Sequence, residues 1–188
     1  MQEEEWVKRL QQGDSTAFDA LYDRYRDQAL RTASLITGSR TDGEDVVQEA
    51  FVQCYQKIRQ LRDPTRFRPW LFRLLTRAAW KYCRQRSREE PIAACYDDAE
   101  NAEESALGTV LRNEQSRELF RAVQRLEAKQ KTVIVLFYYD DMAIRDIARV
   151  LSCREGTVKS RLYAARRNLQ KIMENEGITW EATDDERF

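Results

Sequence analysis

Apolar residues recur along this chain at the three-and-four spacing of amphipathic helices, and long segments pass without glycine or proline. Between Asp14 and Ile36, the residues Phe18, Leu21, Tyr22, Tyr25 and Ala29 fall on one face. Asp14-Ser15-Thr16 supplies N-cap chemistry at the start, and Gly38 supplies a stop. The pattern predicts a second helix from about Thr41 or Asp42 to Leu61, with Val47, Ala50, Phe51, Cys54, Ile58 and Leu61 along one side. Asp63-Pro64 breaks the chain, and Pro69 suits the first turn of a third helix reaching about Arg88. Phe67, Leu71, Leu74, Leu75, Ala78 and Tyr82 form the core stripe of that helix.

Beyond it, residues 89–105 are acidic and rich in small side chains, and they read as a flexible linker. Residues 106–173 form a second helical unit, and residues 174–188 an acidic tail expected to fray beyond Asn175, with Ile178 and Trp180 as the residues able to dock. The run Thr132–Tyr139 (TVIVLFYY) is apolar and β-branched but too short to separate a strand from a buried helix; the helices on both sides favour helix. Ile144, Ile147, Ala148 and Leu151 then repeat at helical spacing, Ser152-Cys153-Arg154 makes a turn, and Val158, Leu162, Ala165, Leu169 and Ile172 form another stripe. A short helix, a tight turn and a longer helix is the layout of a helix-turn-helix, although an ordinary helical hairpin has the same spacing. The expected fold is all-α, with two small helical domains, residues 1–88 and 106–173, joined by the acidic linker.

Composition narrows the function. Of 188 residues, 34% are charged and 42% hydrophobic, as in a soluble helical protein. No apolar run approaches 18 residues and the first ten are acidic and polar, so neither a membrane span nor a secretory signal is expected and the cytoplasm is the expected compartment. Histidine is absent, which excludes Ser-His and Cys-His catalysis and histidine-based metal sites. Cys54, Cys83, Cys95 and Cys153 lie at least twelve positions apart, so no usual zinc or redox spacing exists and they read as reduced thiols. No cofactor, metal or small-molecule substrate is expected, and no catalytic constellation is visible.

The net charge is zero, but the charges come in blocks. Residues 59–88 hold ten basic side chains and one acidic one; residues 89–105 hold seven acidic and no basic ones; residues 142–171 hold eight basic against two acidic. Each basic block lies on a periodic helix, which points to two surfaces for a polyanion rather than to solvated faces alone. On the third helix, Trp70, Arg73, Arg77, Trp80, Lys81, Arg84 and Arg88 mix cations with aromatics, a combination suited to unpaired bases. Trp70 and Trp80 also fit a purely core-completing role. The second helix carries Asp45, Gln48, Glu49 and Val52 opposite its apolar face, which would repel a duplex and better suits a protein partner.

Glu44-Asp45-Val46-Val47-Gln48-Glu49-Ala50-Phe51 resembles the region-two signature of the bacterial sigma-70 family of sigma factors. The run FRPWLFRLLTRAAWKYCRQR is similar to the helix that follows it there, and the segment from Leu126 to Leu169, which contains GTVKSR, resembles region four. The short two-block layout is similar to the extracytoplasmic-function (ECF) subgroup. The resemblance implies a dissociable specificity subunit of RNA polymerase, catalysing nothing itself. It assigns core-polymerase binding to Asp45, Gln48, Glu49 and Phe51. It assigns the minus-ten promoter element to Trp70, Arg73, Arg77, Trp80, Lys81, Arg84 and Arg88, and the minus-thirty-five element to Arg154, Glu155, Thr157, Lys159, Ser160, Arg161 and Arg166. Core RNA polymerase, promoter DNA and an anti-sigma factor are the implied partners. Two departures stand out: Arg77 and Lys81 replace residues that are often Asn and Asp in the family, and the turn reads Leu151-Ser152-Cys153-Arg154 rather than Leu-Gly-Ile-Pro. A stand-alone helix-turn-helix regulator binding duplex DNA as a dimer is the competing reading.

Overall fold

The computed structural model describes residues 2–89 and 114–176, which are helical apart from short turns, with no strand among them. The expected linker from residue 90 onward and the tail from residue 177 lie outside the described residues, as does Cys95. The helices are α1 (Gln2–Gln11), α2 (Ser15–Thr37), α3 (Arg40–Lys57), α4 (Phe67–Glu89), α5 (Glu114–Gln124), α6 (Ala128–Ile134), α7 (Ile144–Leu151) and α8 (Glu155–Asn175).

Local chemistry sets most of these boundaries. Asp14 caps α2 by accepting from the Thr16 N–H, and hydrogen bonds from the Thr16 hydroxyl and then Arg9 hold its carboxyl down at about 2. Gly38 ends α2 in the left-handed conformation (φ 81°), donating its N–H to Ser34 O. Ser39 then caps α3 through the Asp42 N–H. Helices α2 and α3 approach closely at Gly43, where a Cβ would lie 3.0 Å from the Ser34 backbone nitrogen. A 3-10 turn at Pro64–Arg66, capped by Asp63, feeds the chain into α4.

Packing follows the periodicity. Every residue of the α3 apolar side named above is buried, and so is the α4 stripe from Phe67 to Ala78, with Tyr82 half-buried. Cys54 sits in this core, where burial pushes its thiol up to about 12. Helix α1 adds Val7 and Leu10, and its Glu3 accepts from the Tyr25 hydroxyl at 2.6 Å. The TVIVLFYY run is helical: α6 passes without interruption into a π-helical turn, Val135–Tyr139. Its apolar side chains from Val133 to Phe137 are buried.

The buried apolar residues form one contiguous cluster, with α4 packed against α7 as well as against α2 and α3. Polar side chains join the two helical groups across this seam. Trp80 Nε1 donates to Thr132 Oγ1 at 2.9 Å, and Gln124 Nε2 donates to Leu35 O at 2.8 Å. Arg68 donates to Asp140 O at 2.7 Å, while Gln28 and Thr32 bind the Asp140 carboxyl. Among the described residues, no helix is long and apolar enough to cross a membrane.

Candidate nucleic-acid and protein interfaces

Helices α7 and α8 build the helix-turn-helix. Ile147, Ala148 and Val150 anchor α7, and Val158, Leu162, Ala165, Leu169 and Met173 anchor α8. Ser152 adopts the left-handed conformation (φ 52°) that glycine usually occupies, and Cys153 N–H closes on Ala148 O at 3.0 Å. The turn therefore keeps its shape without a glycine, at the steric cost of a Cβ. This registers Arg154, Glu155, Lys159 and Ser160 on the exposed side, with Thr157 and Arg161 half-buried. Arg166 donates to the Tyr138 hydroxyl at 2.6 Å and lies over that ring, so an aromatic from the π turn fixes its guanidinium. Sequence reasoning missed Tyr138, because only the packing shows that it stands out of the largely buried run.

Helix α4 treats its basic face differently. Arg77 and Arg84 are exposed, but Lys81 lies 3.3 Å from the Glu49 carboxylate of α3. Arg73 is half-buried, its Nε has no hydrogen-bond partner, and burial beside Arg77 pulls its pKa down. Trp70 packs against Phe67 and the core, and Trp80 is tied to Thr132. Both tryptophans thus pack against the core while remaining half-buried. The Arg88 side chain lies outside those described.

The third surface is a groove between α2 and α3. Exposed Gln48 lines it, whereas exposed Asp45 and half-buried Glu49 lie on the α4 side of α3, where Glu49 meets Lys81. Phe51 is only 3% exposed, its ring 4.8 Å from Tyr22, so it forms the groove floor rather than a projecting contact. Phe18, Tyr22 and Leu30 from α2 line the other wall, and Val52 and Tyr55 stand exposed at the rim. The apolar contribution of α2 was not read from the sequence, because Phe18 and Tyr22 look like ordinary core positions. The charged rim mixes Arg26, Arg31 and Arg40 with Asp27 and Glu44, so the aromatic trough suits the apolar face of an amphipathic helix. Among the described residues, no group of His, Cys, Asp and Glu could hold a metal ion.

Comparison with known proteins places these surfaces in one family. Residues 21–89 match sigma-70 region 2, and residues 116–169 match sigma-70 region 4. The chain is 34% identical over 177 residues to the ECF RNA polymerase sigma-E factor of Haemophilus influenzae, covering 87% of this chain and 91% of that one. It is 30% identical over 182 residues to the RNA polymerase sigma-H factor of Pseudomonas aeruginosa, covering 92% and 94%. Its fold is similar to that of CnrH, solved in complex with the cytosolic domain of CnrY, at a TM-score of 0.72 and 22% identity over 94% of this chain and 99% of that one. It is also similar to the sigma factor RpoE from Bartonella quintana, solved with the anti-sigma factor NepR, at a TM-score of 0.63 and 20% identity over 84% and 96%. The chain therefore belongs to the ECF group of the sigma-70 family of RNA polymerase sigma factors.

Proposed function

We propose that this sigma factor divides promoter recognition between its two cationic helices and holds core RNA polymerase through the α2–α3 groove. One observation carries the reading: an open groove floored and walled by aromatic side chains, between α2 and α3, occurs on the same chain as two helices with exposed cations. Helix α8 enters the major groove at the minus-thirty-five element. Lys159 and Arg154 contact phosphates, while Thr157 and Ser160 are short enough to let the helix approach base edges. Helix α4 serves the minus-ten element through Arg77 and Arg84 at first contact, with Trp70, Arg73, Trp80, Lys81 and Arg88 completing the surface on opened DNA. Gln48 meets the polymerase over the Phe51 floor, and Asp45 and Glu49 meet it on the adjoining α4 side of α3. The protein itself catalyses no reaction and works in the cytoplasm. Residues 1–88 and 106–173 are the two functional domains, and 89–105 connects them. The two solved neighbours were captured with partner proteins, one of them named an anti-sigma factor, which supports an anti-sigma factor as the regulator here too.

Transcription in vitro with purified core polymerase and a pooled promoter library tests this. Transcripts that start only when the protein is added are expected. Sequence-specific duplex binding without new transcripts would instead indicate the stand-alone regulator. Asp45→Arg combined with Glu49→Lys is expected to abolish co-purification with core polymerase while leaving the circular dichroism unchanged; undiminished co-purification overturns the groove assignment.

A further inference from the structure

A second groove, used neither by the two cationic helices nor by the α2–α3 surface, lies between α5 and the π turn. Leu35, Leu119, Phe120, Val123, Ile134 and Tyr138 line it, and among the described residues no charged side chain does. Leu119 and Phe120 are half-buried and Tyr138 is 44% exposed, so apolar surface stays open to water. The groove holds about 240 Å3, below the roughly 300–1,000 Å3 of sites for drug-sized ligands. Its size and lining suit one or two large apolar side chains.

The end of α8 brings such side chains within reach. Glu176 caps α8 and pairs with Arg125, the residue that follows α5. Back along α5 from Arg125, Phe120 lies about 8 Å away at 1.5 Å per residue. Trp180 stands four residues beyond Glu176, and extended chain spans about 3.3–3.6 Å per residue, or about 13 Å in all. Gly177 occupies the position after the cap, where glycine lets a chain reverse. Ile178 and Trp180 alternate with polar Thr179, so the two share one side of any extended segment.

We propose that residues 177–188 of this chain fold back and seat Ile178 and Trp180 in the groove between α5 and the π turn, making the tail its built-in occupant. The acidic residues from Glu181 onward stay outside the uncharged lining, where burying a charge without a partner would be costly. An apolar helix of another protein reaches the same lining only by displacing the tail. The groove also shares Tyr138 with the α8 surface, so the seated tail packs against the residue whose hydroxyl holds Arg166.

A photo-crosslinking amino acid in place of Trp180 tests this in the full chain, without polymerase or DNA. Crosslinks within one chain to Leu119, Phe120, Val123 or Tyr138, unchanged on dilution, are the expected result. Crosslinks confined to the α2–α3 groove or to α8, crosslinks only between two chains, or none at all overturn the assignment. Tryptophan emission reads the same contact independently. The difference between the wild type and Trp180→Phe isolates the Trp180 signal from those of Trp6, Trp70 and Trp80. That signal is expected to be blue-shifted and quenched severalfold less by acrylamide than a peptide of residues 177–188. Leu119→Asp, which puts a charge into the groove wall, is expected to abolish both differences. If that variant loses its helical circular dichroism, Tyr138→Asp places a charge at the exposed rim, where it can still pair with Arg166. A Trp180 signal as exposed as the peptide's, or one that the folded charge variant leaves unchanged, overturns the docking.

Discussion

Helices α4 and α8 carry similar cationic surfaces, yet the fold uses them in opposite ways. Helix α8 lies at the edge of its group and buries one stripe, so Arg154, Lys159 and Ser160 project freely. Helix α4 lies at the centre, contacting α2, α3, α6 and α7, and neighbours reach its basic face from both sides. Glu49 approaches Lys81, Thr132 takes the Trp80 N–H, and Arg73 Nε is buried without a partner. A charge pattern therefore identifies a surface, while the number of neighbours around its helix decides whether that surface is available.

Five substitutions break or sharpen the contrast. Leu162 is fully buried beneath α8, and Leu162→Ala is expected to cost roughly 2–5 kcal/mol in urea unfolding, with loss of duplex binding. An unchanged midpoint would mean that α8 is not anchored by this stripe. Lys159→Glu should weaken duplex binding by the isolated protein and lower its log-log salt slope by about 0.9 for the lost phosphate contact. Arg77→Glu on α4 should leave that slope where it is; equal responses would erase the distinction between the helices. Trp80→Phe keeps the ring bulk but removes the donor to Thr132, for an expected loss of about 0.5–1.5 kcal/mol in unfolding free energy. Smallest is Lys81→Met, since the pair with Glu49 is 51% and 28% exposed and worth below about 1 kcal/mol at low salt. A larger effect would show that α3 and α4 depend on this ion pair.

Much of this was legible in the residues. The Asp14 cap, the Gly38 stop and the Asp63-Pro64 break specify local geometry within a few residues, so α2 and the starts of α3 and α4 fall where the pattern places them, whereas α3 ends at Lys57 and passes into a 3-10 turn, Ile58–Gln60, instead of continuing to Leu61. The helix-turn-helix was equally plain, because both its stripes and its turn are local. Helix α1 was not read, since Val7 and Leu10 make too short a stripe among acidic residues. Residues 114–124 were read only as part of a longer unit, and the region-four match begins at residue 116, ten residues before the expected Leu126. Phe51 was counted both as core and as contact; only the packing of Tyr22 over it shows that it floors the groove. The seam was illegible, because Gln28 and Thr32 meet Asp140 across more than a hundred residues and no periodicity encodes that encounter.

The most direct test of the divided promoter reading places a photo-crosslinking amino acid at exposed Arg84 on α4 or exposed Tyr163 on α8, in a complex of this protein with core polymerase and a promoter selected from the library. Crosslinks from Arg84 at the minus-ten element and from Tyr163 at the minus-thirty-five element are the expected result. Both positions crosslinking to one element, or Arg84 reaching no DNA in the open complex, would contradict the account.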